Sequence, residues 1–121
     1  MIKSIKFASI PVRDQDKALA FYTEKLGFTV FTDQPMGPGQ RWIELTIPGA
    51  KTGVVLFTPE GHESRIGTFS GISFECDDVQ KTYDDLKAKG VKFAGPPKAE
   101  QWGTFVILKD VDGNQFVMSA R

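Results

Sequence analysis

The alternation of apolar and polar positions predicts a helix and four strands in the first half of the chain. Residues 5–12 alternate as a β-strand does. The apolar residues that follow recur at helical spacing, namely Ala18, Leu19, Tyr22 and Leu26. Asp14 precedes this stripe as an N-cap, and Gly27 follows it at a position suited to a left-handed cap. Three more strands are predicted over residues 28–32, 41–47 and 53–58.

The second half of the chain repeats this plan. Asp77 lies 63 residues after Asp14, and Gly90 lies 63 residues after Gly27. The predicted elements are a strand over 69–76, a helix over 78–89 with Val79, Tyr83 and Leu86 on its buried side, and strands near 91–95, 103–108 and 115–120. A repeat of this length predicts two copies of one βαβββ module.

The two modules are predicted to cover about residues 4–58 and 68–121, within a single α+β domain of residues 1–121. Two Pro/Gly-rich loops interrupt corresponding places, DQPMGPGQ (33–40) and GPPKAEQ (95–101). Trp42 closely follows the first loop and Trp102 the second, and loops of this composition often surround a site.

Side-chain parity gives the strands two different faces. One parity, here called the apolar face, should pack under the helices and comprises Ala8, Ile10, Val12, Ile43, Leu45, Ile47, Ile72, Phe74, Cys76, Phe116 and Met118. The other parity, here called the mixed face, comprises Phe7, Ser9, Trp42, Glu44, Thr46, Gly71, Ser73, Glu75, Gln115, Val117 and Ser119. Aromatic rings together with a few polar groups are typical of a small-molecule cavity. A half-exposed sheet face or a dimer interface is the alternative.

Composition narrows the class of protein. The 121 residues carry 15 Lys plus Arg and 15 Asp plus Glu, a balance that favours neither nucleic acid nor an acidic membrane as a partner. No apolar run approaches the length of a membrane span or a signal peptide. The single cysteine, Cys76, lies on the apolar face and is predicted to be a core residue in a reducing, cytoplasmic setting.

Three segments together resemble one protein family. The stretch IPVRDQDKALAFYTEKLGF (10–28), its counterpart FECDDVQKTYDDLKAKGV (74–91) and the tail KDVDGNQFVM (109–118) resemble vicinal-oxygen-chelate proteins, which include glyoxalases, bleomycin-resistance proteins and extradiol dioxygenases. Val111 replaces a proline that is common in the family's closing turn. The resemblance implies cupped mixed β-sheets with helices on the outer face, and a homodimer.

Family members that act as metalloenzymes hold a divalent ion with four side chains. By resemblance these positions fall on Phe7, on Glu44 in WIELTI, on Gly71 (or Ile72 in a shifted register) and on Val117. Only Glu44 has a donor atom, and a divalent ion needs three or more. We therefore predict no specific metal and no cofactor, and a degenerate form of the family's site.

A metal-independent binder of a small, aromatic or planar molecule is the leading hypothesis. Phe7, Trp42 and Trp102 would stack on the molecule, with Val117 beside them, and Ser9, Glu44, Ser73 and Gln115 would orient it. Simple packing under the loops is the alternative for both tryptophans.

An enzyme is the second hypothesis. Glu44 would serve as a general base in a glyoxalase- or dioxygenase-like lyase, isomerase or ring-cleavage reaction. The alternative is a carboxylate that only hydrogen-bonds a neighbouring strand or an arginine at an interface. A third hypothesis is an enzyme with a metal bound by His62, the only histidine, together with Glu60 and Glu63. The alternative, an ordinary loop residue, is favoured because this spacing matches no metal motif.

Overall fold

The protein folds into two compact units. The computed structural model describes residues 1–120; the first unit is Met1–Ile66 and the second begins at Gly67. Each unit is a mixed α+β structure with one sheet, which confirms the predicted fold class. That both units form a single domain stays a prediction. Within residues 1–120 the helices are too short and too polar to cross a bilayer.

The first unit has a four-stranded sheet with one helix. Its elements are β1 (Phe7–Pro11), α1 (Gln15–Ala20) continuing into a π-helical turn (Phe21–Lys25), β2 (Thr29–Pro35), β3 (Arg41–Thr46), β4 (Gly53–Phe57) and a 3-10 turn (Glu63–Arg65). The strand order is β1-β4-β3-β2. The β1·β4 pair is parallel and the other pairs are antiparallel, as expected when a helix-containing crossover separates β1 from the rest.

The second unit has five strands around the same plan. Its elements are β5 (Phe69–Glu75), α2 (Val79–Ala88), β6 (Lys92–Phe93), β7 (Lys98–Glu100), β8 (Gly103–Lys109) and β9 (Gln115–Ser119). The order is β5-β9-β8-β6, with β7 also paired to β8. The sequence did not predict β7. Pro96 and Pro97 divide into two short strands what is the single strand β2 in the first unit, because proline cannot donate to a ladder.

The Pro/Gly-rich loops are shorter than predicted. Residues 33–35 belong to β2, with Pro35 opposite Arg41, and residues 98–100 form β7. Each predicted loop therefore begins or ends as one arm of an antiparallel hairpin. Only the central Gly- and Pro-containing part of each loop lies outside the sheet.

Both helices begin at an aspartate, but the two aspartates are not separated by the 63-residue repeat. The Lys17 amide donates to Asp14 Oδ1 over 3.0 Å, and the Lys81 amide donates to Asp78 Oδ1 over 3.0 Å. The second cap is thus Asp78, one residue later than the predicted Asp77. The first helix consequently has one residue more before its closing glycine, and a π-helical turn absorbs that residue.

Both helices end at glycines with left-handed backbone angles, as predicted. Gly27 has φ +78° and Gly90 has φ +90°. A residue with a Cβ would be strained at either position. The repeat is therefore exact at the ends of the helices and differs by one residue at their beginnings.

The core of the first unit lies between its helix and the apolar face. Ile10, Ile43, Leu45 and Leu56 are fully buried, as is Tyr22 from the π-helical turn. In the second unit Phe116 and Met118 are buried, whereas Phe74 and Cys76 are half-buried. Parity thus identified the core strands correctly and overstated burial along β5.

A buried glutamine joins α1 to the sheet. Gln15 is 8% exposed, and its Nε2 donates to the carbonyls of Arg41 (2.8 Å) and Leu56 (3.0 Å). One side chain therefore links the helix to both β3 and β4. The apolar stripe of the sequence missed this residue because glutamine is usually exposed.

The closing turn of the second unit is built around Asp110 and Asn114. Asp110 Oδ1 accepts the amides of Asp112 and Asn114, and Asp110 Oδ2 accepts Asn114 Nδ2, each over 2.9 Å. Asn114 is 1% exposed, and its Oδ1 accepts the Gly67 amide over 2.8 Å. These bonds explain in physical terms why the tail needs an Asp and an Asn at this spacing.

Candidate functional site

The register of the first sheet aligns polar and apolar groups of the mixed face in one row. Ser9 pairs with Val55 in the β1·β4 ladder, and Val55 pairs with Glu44 in the β3·β4 ladder. Thr32 of β2 lies on the other side of Glu44. The row therefore runs from the Ser9 hydroxyl across the apolar side chain of Val55 to the Glu44 carboxylate and the Thr32 hydroxyl.

Two aromatic rings flank this row. Phe7 lies two residues before Ser9 on β1, and Trp42 lies two residues before Glu44 on β3. Their ring centroids are 5.6 Å apart with an interplanar angle of 77°, an edge-to-face contact. Val55 is only 2% exposed although it belongs to the mixed face. Both rings are half-buried.

Glu44 is available for a ligand. Its side chain is half-buried, and its carboxylate has no hydrogen bond or ion pair with any residue from 1 to 120. A half-buried carboxylate without a protein partner can accept a hydrogen bond from a ligand hydroxyl or amine. The alternative prediction was that Glu44 hydrogen-bonds a neighbouring strand, but residues 1–120 contain no such bond.

The register also corrects the assignment of Glu44 to the family's second metal position. Val117 pairs with Ser73 in the parallel β5·β9 ladder, as Val55 pairs with Ser9 in the parallel β1·β4 ladder. The counterpart of Val117 in the first unit is therefore Val55. Glu44 lies on the adjacent strand β3, where its local sequence WIELTI resembles the family pattern without occupying the equivalent place.

In the second unit the corresponding row is apolar apart from its serine. Ser73 pairs with Val117, and Val117 pairs with Ile107 of β8. Ile107 thus occupies the place that Glu44 has in the first unit. Gln115, the other predicted polar ligand residue, pairs with Phe69 and Lys109, and its carboxamide has no partner among the described residues.

Gly71 lies in an irregular stretch of β5. The register shifts between Phe69 and Ser73, and Gly71 has φ +75°. The hydroxyl of Ser70 donates to the Gln115 carbonyl (2.7 Å) and accepts the Ile72 amide (3.1 Å). This bulge explains why the sequence left open which of two residues occupies the third position.

Trp102 is the most exposed of the predicted ligand residues with large rings. It is 67% exposed and stacks on Phe105 with centroids 5.5 Å apart and an interplanar angle of 22°. It lies in the turn between β7 and β8, where Glu100 pairs with Gly103. Trp42 and Trp102 therefore differ: the first packs within the mixed face, and the second is largely free to contact other molecules.

His62 lies in an exposed turn. Its amide donates to the Pro59 carbonyl, while Glu60 accepts Gln40 Nε2 (3.4 Å) and Glu63 accepts the Gly61 amide (3.2 Å). No cluster of three or more His, Cys, Asp or Glu side chains able to hold a metal ion occurs in the part of the chain that the structure describes.

Cys76 is a half-buried thiol at the end of β5. Burial raises its pKa above the ordinary value, and its amide donates to the Ser119 carbonyl over 3.0 Å. A raised thiol pKa lowers the thiolate fraction at neutral pH. The environment is that of a structural residue and not of a nucleophile.

Two concave regions lie away from these residues. A cavity of about 550 Å³ in the first unit is bounded by the ends of β1 and β4 and by the Pro38–Gln40 and Thr58–Glu60 segments. A groove of about 440 Å³ in the second unit lies between α2, β6 and the end of β8. None of the predicted ligand residues lines either of them. Sequence reasoning missed both because their walls come from loops and helix ends, which carry no periodic signal.

Comparison with known proteins gives the family. The model of the glyoxalase/bleomycin resistance protein/dioxygenase superfamily matches residues 4–118. YetH, an uncharacterised protein of Bacillus subtilis, is 42% identical over 118 residues, covering 98% of each chain.

Solved structures agree with this match. A superfamily member from Sphaerobacter thermophilus is 36% identical with a TM-score of 0.90, covering 99% of this chain and 98% of that one. TnmS3, an antibiotic-binding protein from a Streptomyces species, is 33% identical with a TM-score of 0.85, covering 98% and 96%. The chain described here belongs to the glyoxalase/bleomycin resistance protein/dioxygenase superfamily.

Proposed function

We propose that this protein binds a planar, partly aromatic small molecule on the mixed face of its first sheet, without a metal ion. The observation that carries the proposal is the Phe7–Trp42 edge-to-face pair beside the Glu44 carboxylate, which has no hydrogen-bond or ion-pair partner among residues 1–120. Rigid rings next to a few directional polar groups suit such a ligand. The antibiotic-binding relative TnmS3 supports an antibiotic as the ligand class.

Metal independence rests on the chemistry of four positions. Once the register replaces Glu44 by Val55, the positions are occupied by Phe7, Val55, Gly71 and Val117. None of these side chains has a nitrogen, oxygen or sulfur atom, so the donor set does not fit a divalent ion. The reactions that the superfamily's metalloenzymes run through such an ion are therefore not assigned to this chain.

Each polar residue has a proposed role in orienting the ligand. Glu44 accepts a hydrogen bond from a donor on the molecule, and Ser9 supplies a hydroxyl in the same row. The second unit, taken by itself, has a similar arrangement on its own sheet, where Ser73 and Gln115 are proposed to offer the same kind of contact and Val117 an apolar surface beside them. Trp102 contributes an exposed ring from its turn.

A thermal-shift screen tests the proposal. Planar aromatic antibiotics and metabolites are added one at a time in the presence of EDTA, and the melting temperature of the purified protein is recorded. A ligand at a hundred times its Kd stabilises the folded state by about 2.7 kcal/mol. At least one planar compound is expected to raise the melting temperature in wild type and not in Trp42→Ala. Shifts that require a divalent metal, or that persist in Trp42→Ala, would contradict it.

An enzyme acting through Glu44 is the second candidate. The half-buried carboxylate has no protein partner within residues 1–120, which leaves it able to accept a proton from a bound substrate. Turnover of proton-abstraction substrates by wild type but not by Glu44→Gln would favour this candidate. Tight binding by both proteins without turnover would favour the binder.

Two further properties belong to the proposal. We infer a homodimer from the family resemblance and a cytoplasmic location from the single cysteine. Light scattering on the purified protein at micromolar concentration tests the first, with a mass of twice 13.4 kDa expected. A monomer that still binds ligand would overturn the dimer and leave the binding proposal intact.

A further inference from the structure

The Phe7 and Trp42 rings meet above the row that contains Glu44. Phe7 lies two residues before Ser9 on β1, and Trp42 lies two residues before Glu44 on β3. Because β1 and β3 run in opposite directions on either side of β4, the two rings start on opposite sides of the row formed by Ser9, Val55 and Glu44. Their centroids are only 5.6 Å apart, so the side chains extend toward each other and meet above that row.

This position places the carboxylate beside the aromatic pair. Neighbouring strands are about 4.8 Å apart, so Glu44 on β3 is within reach of a ligand atom that touches a ring above β4. The interplanar angle of 77° makes the two rings adjacent walls of a corner. A ring face attracts a cation within about 6 Å of its centroid, and such corners suit alkylated ammonium groups.

Nothing in the row neutralises Glu44. Its neighbours on the adjacent strands are Val55 and Thr32, which carry no charge. No Lys, Arg or His side chain from residues 1–120 forms an ion pair with it. A ligand that covers this half-buried carboxylate without supplying a positive charge would remove water from an unpaired anion, which costs free energy.

Two arginines of the first unit are engaged by other groups. Arg41 donates to the carboxylates of Asp16 and Asp33. The guanidinium carbon of Arg65 lies 5.5 Å from the centre of the Phe57 ring, and its charge forms no ion pair with the carboxylate of the row. Neither arginine therefore takes the place of a cationic ligand.

We propose that the planar ligand of this face carries an ammonium group, which packs against the Phe7 and Trp42 rings and donates a hydrogen bond to the Glu44 carboxylate. Charge-assisted bonds of this kind are stronger than neutral ones. The hydroxyls of Ser9 and Thr32 form no hydrogen bond with residues 1–120 and can accept the remaining N–H groups. This inference rests on the proposed function, because it adds a chemical class to the same ligand.

The test compares three probes with one flat body: 2-naphthylmethylammonium, the uncharged 2-naphthylmethanol and the anionic 2-naphthoate. Amide chemical shifts of the full-length protein are followed by NMR at residues 7–9 and 42–44, which belong to the two strands that carry the rings. The ammonium probe is expected to bind about tenfold more tightly than the alcohol, and naphthoate more weakly than either, since a hydrogen bond between charged groups is strong.

A variant isolates the carboxylate. Glu44→Gln keeps the size of the side chain and is expected to weaken the ammonium probe about tenfold while leaving the alcohol unchanged. Glu24→Gln removes one exposed carboxylate from the same unit and serves as the matched control, with no change expected for any probe.

The outcomes separate this inference from the proposed function. If the ammonium and the alcohol shift these amides with equal affinity, or if Glu24→Gln weakens the ammonium as much as Glu44→Gln does, the ammonium inference is overturned and planar binding stands. If no probe shifts these amides, both the inference and the proposed site on this face are overturned.

Discussion

Phe7 and Trp42 meet edge to face although their strands, β1 and β3, are not neighbours in the sheet. β4 lies between them, and its Val55 is 2% exposed. The pair therefore ties three strands together on the face away from the helix. It is the feature on which both the stability of this face and its proposed ligand binding depend.

A double-mutant cycle tests the ring pair. Phe7→Leu and Trp42→Leu are each expected to destabilise the protein, with a coupling energy of about 0.5–1.5 kcal/mol, because an aromatic pair contributes that much beyond its buried area. Urea unfolding of the four proteins measures it. Phe31→Leu combined with Phe7→Leu serves as the control pair, because the 70% exposed Phe31 lies on β2, at the other edge of the same sheet. If the Phe7 and Trp42 changes are additive, the contact between the two rings contributes no coupling energy.

The carboxamide of Gln15 is expected to be essential for docking α1 on the sheet. Gln15→Leu leaves the carbonyls of Arg41 and Leu56 without their donor and should cost about 1–3 kcal/mol of unfolding free energy. Gln80→Leu alters the corresponding region of α2, where the side chain is exposed and donates to Asp84, and should cost less than about 0.5 kcal/mol. Chemical denaturation of both variants measures the two losses of unfolding free energy. Equal losses would mean that the buried hydrogen bonds of Gln15 stabilise the protein no more than the exposed bond of Gln80.

Asn114→Asp is expected to make stability depend on pH. The new carboxylate would lie about where the Asn114 amide now donates to Asp110 Oδ2 over 2.9 Å, so two like charges would meet in a buried turn. Stability relative to wild type is then greatest in acid, where protonation removes one of the two charges, and falls as the pH rises and both carboxyls ionise. Thermal melts between about pH 3 and 7 measure it. Gln80→Glu creates a similar pair with Asp84 in solvent and should show little of this dependence; equal pH profiles for the two variants would contradict the account.

The Asp33–Arg41 ion pair is expected to contribute to acid sensitivity. The hydrogen bond from Arg41 lowers the pKa of Asp33, so the stabilisation is present above the unfolded pKa and is lost as the pH falls through the lower folded value. Asp33→Asn should therefore differ from wild type at neutral pH and converge with it in acid. Glu24→Gln removes one exposed carboxylate and is the control. A difference between wild type and Asp33→Asn that does not change with pH would argue against the pair.

Local patterns were sufficient for most of the fold. Apolar spacing predicted both helices, and Asp14, Gly27 and Gly90 predicted three of their four ends, because capping depends on residues near in sequence. The one-residue difference between Asp77 and Asp78 was missed because a π-helical turn in the first helix has no strong sequence signal. The β7 strand was hidden by the prolines beside it.

The candidate site was harder to predict, because it depends on which strands are neighbours. The segment IEL within WIELTI resembles the family's aliphatic-Glu-Leu pattern, and yet the ladder places Val55 opposite Ser9 and Glu44 one strand further away. Register is a long-range property that a local motif does not contain. The alternation of side chains predicted which residue types lie on the mixed face, but it could not predict which residues of adjacent strands lie beside one another.

Calorimetric titration of a planar compound found by thermal shift tests the central claim most directly. The protein is stripped with EDTA, and the titration is repeated after addition of stoichiometric zinc, nickel or manganese. We predict the same Kd in every condition, and a Kd at least about tenfold weaker in Trp42→Ala. Binding that disappears in EDTA and returns with one metal would contradict the account.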